Sequence, residues 1–327
     1  MKPAFSVIFL TTLIGAAQGL FLALFTHQSY ALFGLLPMQS DDFYGYGTAI
    51  AMVLLGGGLF AAVFHLGKPI YMVTRAWRGM TQWRTSWLSR ELIALPAFMG
   101  IVFLYGVSHL AGFRPVLLTL PSGQPIDLSF VLGVVGTLLA FTLFVCTAMI
   151  YACLRFLREW YSPLTVINYI LMGGSSGFIL AAFYAASAAP DQADFFAGWA
   201  IIITVLAFAG RAASLVRNAR LKPKSTMQTA IGVKHPTIVQ RSMGAMGGTF
   251  NTREFFHGKS LVFMRVIKPT FLVMAFVLPL ALLALGLFSP ALLGVAFVIQ
   301  YIGLMVERWF FFAQANHPQN LYYQTIG

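Results

Sequence analysis

Between two long apolar stretches lies the segment His65–Glu91, HLGKPIYMVTRAWRGMTQWRTSWLSRE. It gathers five basic residues (Lys68, Arg75, Arg78, Arg84 and Arg90) and three of the chain's six Trp (Trp77, Trp83 and Trp87). A histidine closes the apolar stretch before it, and the pair Arg90–Glu91 opens the next. Imidazole titrates near neutrality, a carboxyl exchanges a proton with a bound group, and a guanidinium holds a carboxylate or carbonyl oxygen. At a membrane boundary among aromatic rings, this set suits a quinone, an amphipathic carrier of two electrons and two protons. Each residue also has a structural reading. His65 precedes Gly67 and Pro69, which end helices, and a histidine there interacts with the helix dipole. Glu91 follows Ser86, a candidate N-cap, and an acid in a first turn is favoured by the dipole. Trp87 and its fellows serve equally as interfacial anchors. Helix neighbours do not share a face, so at most one of Arg90 and Glu91 points toward His65.

The elements that must position these groups are membrane spans. The 327-residue chain is 59% hydrophobic and 9% charged, whereas soluble domains carry about 25% charged residues. Eight apolar stretches are long enough to cross a bilayer. They run Ala4–Phe25, Tyr46–His65, Trp87–Leu110, Leu128–Cys153, Leu164–Ala186, Phe195–Gly210, Pro269–Leu287 and Ala291–Phe311. The sixth is the shortest, and the seventh has an alternative start near Leu261. Without a barrel's alternation, backbone satisfaction in lipid demands helices. The sequence therefore predicts an all-α integral membrane protein, a bundle of eight transmembrane helices forming one anchor domain over residues 1–327. The first stretch reads as an uncleaved span, because no A-x-A cleavage site follows it at a suitable distance.

Eight spans put both termini on one face. Of 21 Lys and Arg, all but Arg114 fall on that face, so the positive-inside rule predicts cytoplasmic termini in a bacterial inner membrane. The segment 211–268 becomes a long basic cytoplasmic loop. This face suits anionic lipid heads or an acidic protein partner, with Lys68, Arg75, Arg78, Arg84 and Arg308 as docking candidates. Nucleic acid is not an expected partner.

Other chemistry has less support. The spans read as free of internal charge, with Glu307–Arg308 a snorkelling pair in an aromatic belt. That disfavours ion-coupled transport, although a solute transporter without a redox partner remains the alternative of another class. Haem needs axial ligands at matched depth. His27 and His109 are the only pair near one level, and His27 is expected in a loop, so no haem is expected. Cys146 and Cys153 are too few for an iron–sulfur cluster, and no metal ligand set appears. Gly15–Gly19 and Gly173–Gly177 read as close helix packing, with local unwinding at Gly173–Gly177 as the alternative. Gln18, Gln300, Ser175 and Ser176 read as helix–helix hydrogen bonds.

The opening MKPAFSVIFLTTLIGAAQGL, the HLGKP…SWLSRE loop and the ERWFFFAQANH ending together resemble the dimethyl sulfoxide reductase anchor-subunit family over essentially the whole chain. The likeness is greatest to its branch of membrane subunits of cytoplasmic sulfite dehydrogenases. The resemblance implies a haem-free, quinone-reactive anchor for a molybdopterin catalytic subunit and an iron–sulfur ferredoxin-like subunit. Iron–sulfur clusters and molybdenum are then in the partners. It carries the family's quinol-binding histidine onto His65, and its Ser-x-x-Ser-Arg-Glu element onto Ser86, Ser89, Arg90 and Glu91. Sulfite oxidation with quinone reduction is favoured over quinol oxidation by a dimethyl sulfoxide or related reductase.

Overall fold

The computed structural model describes residues 5–65, 77–121, 123–222, 226–238, 260–286 and 289–315, with His65 and Gly286 described by their backbone alone. Eight helical spans among them are long and apolar enough to cross a membrane. The first three are α1 (Phe5–Leu32), α2 (Asp41–His65) and α3 (Trp87–Leu110). A short antiparallel hairpin, β1 (Val116–Thr119) and β2 (Pro125–Asp127), leads into α4 (Leu128–Ala152), α5 (Pro163–Ala188) and α6 (Ala193–Ala219). A short helix α7 (Met227–Ile231) follows. The seventh span joins α8 (Leu261–Leu272) through a π turn, Val273–Val277, to α9 (Leu278–Gly286), and α10 (Pro290–Ala313) is the eighth.

Local chemistry sets these ends. Ser86 accepts a hydrogen bond from Ser89 N at 3.3 Å and caps α3, and Asp127 caps α4 by accepting from Phe130 N at 2.8 Å. Asp41 and Asp42 stand in the first turn of α2, where the dipole favours acids. Pro269 withholds a backbone donor inside α8, and the ladder shifts to π geometry just beyond it.

The centre of the bundle is the crossing of α1 and α5, the two most deeply buried spans. A Cβ at Gly19 would strike Gly173 O, and one at Gly177 would strike the backbone of Gly19. Small residues here permit backbone contact that no other side chain allows. α5 is continuous through Gly173–Gly177, so these glycines pack and do not unwind. Cross-span hydrogen bonds accompany them: Gln18 Nε2 donates to Ala140 O at 2.8 Å, and Gln300 Nε2 to Ser175 Oγ at 2.6 Å.

Three boundaries differ from the sequence reading. The first span runs to Leu32, so His27 lies inside a helix and is fully buried. Expected to end at Gly210 as the shortest span, the sixth continues to Ala219 and places Arg211 within it. A hydropathy window ends at an arginine, whereas the helix continues because a buried carboxylate receives that charge. The loop expected over 211–268 accordingly loses both ends, to α6 and to α8. Two features that the sequence offers there, the Gly-rich patch MGAMGG and an ordered, partner-contacting element over 249–256, lie outside the described residues.

Candidate functional site

Ser86 fixes the start of α3, and the two residues of the Arg90–Glu91 pair then diverge. Arg90 turns back to the preceding loop. Its Nε donates to Trp83 O at 2.8 Å and its Nη2 to Arg84 O at 3.0 Å, while the guanidinium lies 4.1 Å from the centre of the Trp87 ring. Glu91 turns into the bundle, where its Oε1 accepts from Thr147 Oγ1 at 2.5 Å. α2 packs beside α3, so the end of α2 at His65 lies at the same face as the start of α3. The His65 side chain, Lys68 and Arg75 lie outside the described residues. Arg78 and Arg84 are exposed, each near the ring of its own neighbouring Trp, at 5.4 Å and 5.5 Å.

Behind Glu91 is a partly open cavity of about 40 Å³ lined by α1, α3, α4, α5 and α10, with polar side chains set in a mainly apolar wall. Gln18, Thr147, Tyr169, Ser176 and Arg308 share its lining with Glu91. The sequence places Arg308 on a docking surface; instead it is 6% exposed, inside the bundle. Its guanidinium is 4.4 Å from the Tyr169 ring centre and 4.7 Å from that of Phe311. The hydrogen bond from Trp160 Nε1 to Phe311 O, 2.8 Å, ties this stack to the segment before α5.

Arg308 belongs to a buried ion triad. Arg308 Nε donates to Glu307 Oε2 at 2.5 Å, and Arg211 Nε lies 2.6 Å from Glu307 Oε1. Arg211 is 2% exposed and Glu307 0%. The expected snorkelling pair is thus an internal cluster of two guanidiniums on one carboxylate, because Arg211 arrives from the extended α6. The sequence signal was present in an acid–base pair closing one span and a lone arginine closing another. Hydropathy placed both at the ends and hid their meeting.

At the opposite face the histidines form another network. His27 Nε2 and Gln192 Oε1 are 2.9 Å apart, and Gln192 Nε2 donates to Asp191. That orientation makes Gln192 Oε1 an acceptor, so His27 Nε2 carries a proton, and its Nδ1 pairs at 2.9 Å with Tyr44 Oη, which also reaches Met38 Sδ at 3.5 Å. The Tyr44 ring stacks on His109, with centroids 4.9 Å apart. His109 Nδ1 is 2.8 Å from Asp41, which also pairs with Arg114 at 2.7 Å. With both its nitrogens engaged, His27 presents no free ligand atom to a haem. Among the described residues no group of three His, Cys, Asp or Glu is placed to hold a metal ion.

Two comparisons bear on the chain. A family model described as DMSO reductase anchor subunit (DmsC) matches residues 1–323. A sulfite dehydrogenase subunit from Allochromatium vinosum is 52% identical over 329 residues, covering 100% of both chains.

Proposed function

The chain belongs to the DMSO reductase anchor subunit (DmsC) family, and from that premise we propose that it is the quinone-reactive membrane subunit of a molybdopterin and iron–sulfur oxidoreductase. Family and relative make it a multi-pass membrane anchor of an oxidoreductase complex. Beyond that, the proposed reaction is sulfite oxidation in a partner with reduction of the membrane quinone pool. The observation that carries quinone exchange is the inward turn of Glu91, which presents a carboxyl to an internal cavity near the membrane face at which α2 ends.

The residues fit such a carrier at the rim of the cavity. Trp87 offers a ring face, Arg90 holds the loop against the start of α3, and His65 and Glu91 exchange protons with the carrier oxygens. A quinone, when bound, supplies two-electron, two-proton chemistry. Arg78 and Arg84, with Lys68 and Arg75, form the surface for the iron–sulfur subunit and, through it, the molybdopterin subunit. The charge asymmetry supports a cytoplasmic position for that face; a reporter fused after Gly327 should then be active in the cytoplasm, and a periplasmic reporter signal overturns the orientation.

His65→Ala should depress quinone-linked turnover while assembly and artificial-acceptor turnover persist, and unchanged quinone kinetics would remove His65 from the site. The family description also supports a second reading, in which quinol is oxidised to drive a reductase. Sulfite with a quinone analogue, against dimethyl sulfoxide with a quinol analogue, separates the two in purified complex. A transporter should purify alone, without partner chains that carry iron and molybdenum. Its exclusion no longer rests on charge-free spans, since the Arg211–Glu307–Arg308 triad is internal.

A further inference from the structure

We infer that the cavity between Glu91 and Arg308 is a water-holding proton chamber open to one side of the membrane, with Tyr169 as a positioning residue for proton exchange at Glu91. This rests on the quinone reading above and concerns how protons reach the carrier. At about 40 Å³ the cavity falls far short of the roughly 300 Å³ of a small-molecule pocket. It does hold about three waters at 10–15 Å³ each, provided that polar partners exist. They do. Glu91, Gln18, Thr147, Ser176, Tyr169 and Arg308 face it from five helices.

Tyr169 is the informative member. It is 7% exposed, and its hydroxyl has the Arg308 guanidinium as its charged neighbour, lying over the ring and out of line for a well-formed hydrogen bond. A buried hydroxyl without a well-formed bond is unfavourable, and chamber water relieves it while linking Tyr169 to its neighbours. Toward the opposite face the chamber's lining ends at Gln18 and Ser176, one residue short of the close contact of Gly19 with Gly177 where α1 and α5 cross. Beyond that crossing α1 presents Leu20, Phe21 and Leu24, all 0% exposed. With that side closed, the proton route of this proposal runs from the termini face, past the packed rings of Tyr151, Trp160 and Phe311 beside Tyr169. For each quinone reduced, two electrons come from the partner's iron–sulfur carrier and two protons convert two carbonyl oxygens to hydroxyls. Glu91 releases its carboxyl proton and regains one from chamber water, which exchanges with solvent at the termini face.

The test uses the whole complex in lipid nanodiscs. X-ray radiolytic footprinting, which labels side chains beside bound water, should modify Tyr169 and Met172 far above Phe21. Labelling of all three at the same low level overturns the chamber. Tyr169→Phe keeps the ring beneath Arg308 and removes the hydroxyl. It should lower quinone-linked kcat, normalised to artificial-acceptor turnover, by about tenfold, with KM for quinone unchanged and a larger solvent deuterium isotope effect. A raised KM at unchanged kcat would make Tyr169 a carrier contact and overturn its positioning role. If His65→Ala and Glu91→Gln leave quinone turnover intact, the quinone reading itself falls, and footprinting still decides whether the chamber holds water.

Discussion

The two ends of the bundle handle buried polar groups in opposite ways. At the hairpin face, His27, Tyr44 and Gln192 bond in series, and His109, Asp41, Arg114 and Asp127 form a second series. Gln28, Tyr105 and Ser129 complete the ties between α1, α3 and α4. Most hydrogen-bonding capacity there is used to hold spans together, His109 Nε2, Arg114 Nε and Gln124 Oε1 being left over. At the termini face, polar groups line a cavity, and the Tyr169 hydroxyl and Arg211 Nη2 have no well-formed hydrogen bond. The face whose two buried histidines are engaged by neighbouring side chains is thus the more closed one. Titratable residue type alone does not mark a reactive site; unused bonding capacity beside a cavity is the better guide.

The largest test of this contrast is Glu307→Gln. It leaves Arg211 and Arg308 buried without a counter-charge, a loss of about 3–5 kcal/mol for one partner of a buried pair. The measurement is the amount of assembled subunit in the membrane and the melting temperature of the purified complex. Asp41→Asn at the other face breaks the ion pair with Arg114, whose side chains are 29–32% exposed, and leaves an amide oxygen for buried His109, so solvent limits its effect to about 1 kcal/mol. Equal effects would abolish the distinction between the two ends.

Next comes a separation of activity from stability. Glu91→Gln should lower quinone-linked turnover by about a hundredfold while the melting temperature changes little, because glutamine still accepts from Thr147. His27→Leu should do the reverse. It unpairs Tyr44 Oη and Gln192 Oε1, costing about 1–3 kcal/mol of stability, and the ratio of quinone-linked to artificial-acceptor turnover should hold. A loss of that ratio in His27→Leu would mean that the hairpin face takes part in carrier chemistry.

Much of this was readable from residue order. Eight spans, the Ser86 cap and the glycine crossing follow from hydropathy, capping chemistry and small-residue spacing. The divergence of Arg90 and Glu91 follows from the 100° step between helix neighbours, although which one turns inward does not. The triad was illegible because a charge inside a span is tolerable only when its partner is known, and Arg211 and Glu307 are 96 positions apart. His27 was misplaced for a related reason. Its partners Tyr44 and Gln192 lie on other elements, and without them a histidine looks too polar for a helix in lipid. The cavity depends on packing among five helices, which no one-dimensional pattern records.

The smallest expected effect concerns Thr147, the one described donor to Glu91. Thr147→Val preserves shape and removes the hydroxyl, leaving the carboxyl in place but free to reorient. A net hydrogen bond of about 0.5–1.5 kcal/mol sets a ceiling of about tenfold on the loss of quinone-linked kcat. Chamber water replacing the hydroxyl should reduce that to a few-fold. Thr147→Ser restores the donor and should restore the rate, whereas a purely volume-based effect would leave serine no better than valine. Should Thr147→Val match the loss in Glu91→Gln, the threonine hydroxyl is itself a link in proton exchange. The termini face would then contrast with the hairpin face even more sharply, because a hydrogen bond that looks structural at one end would carry protons at the other.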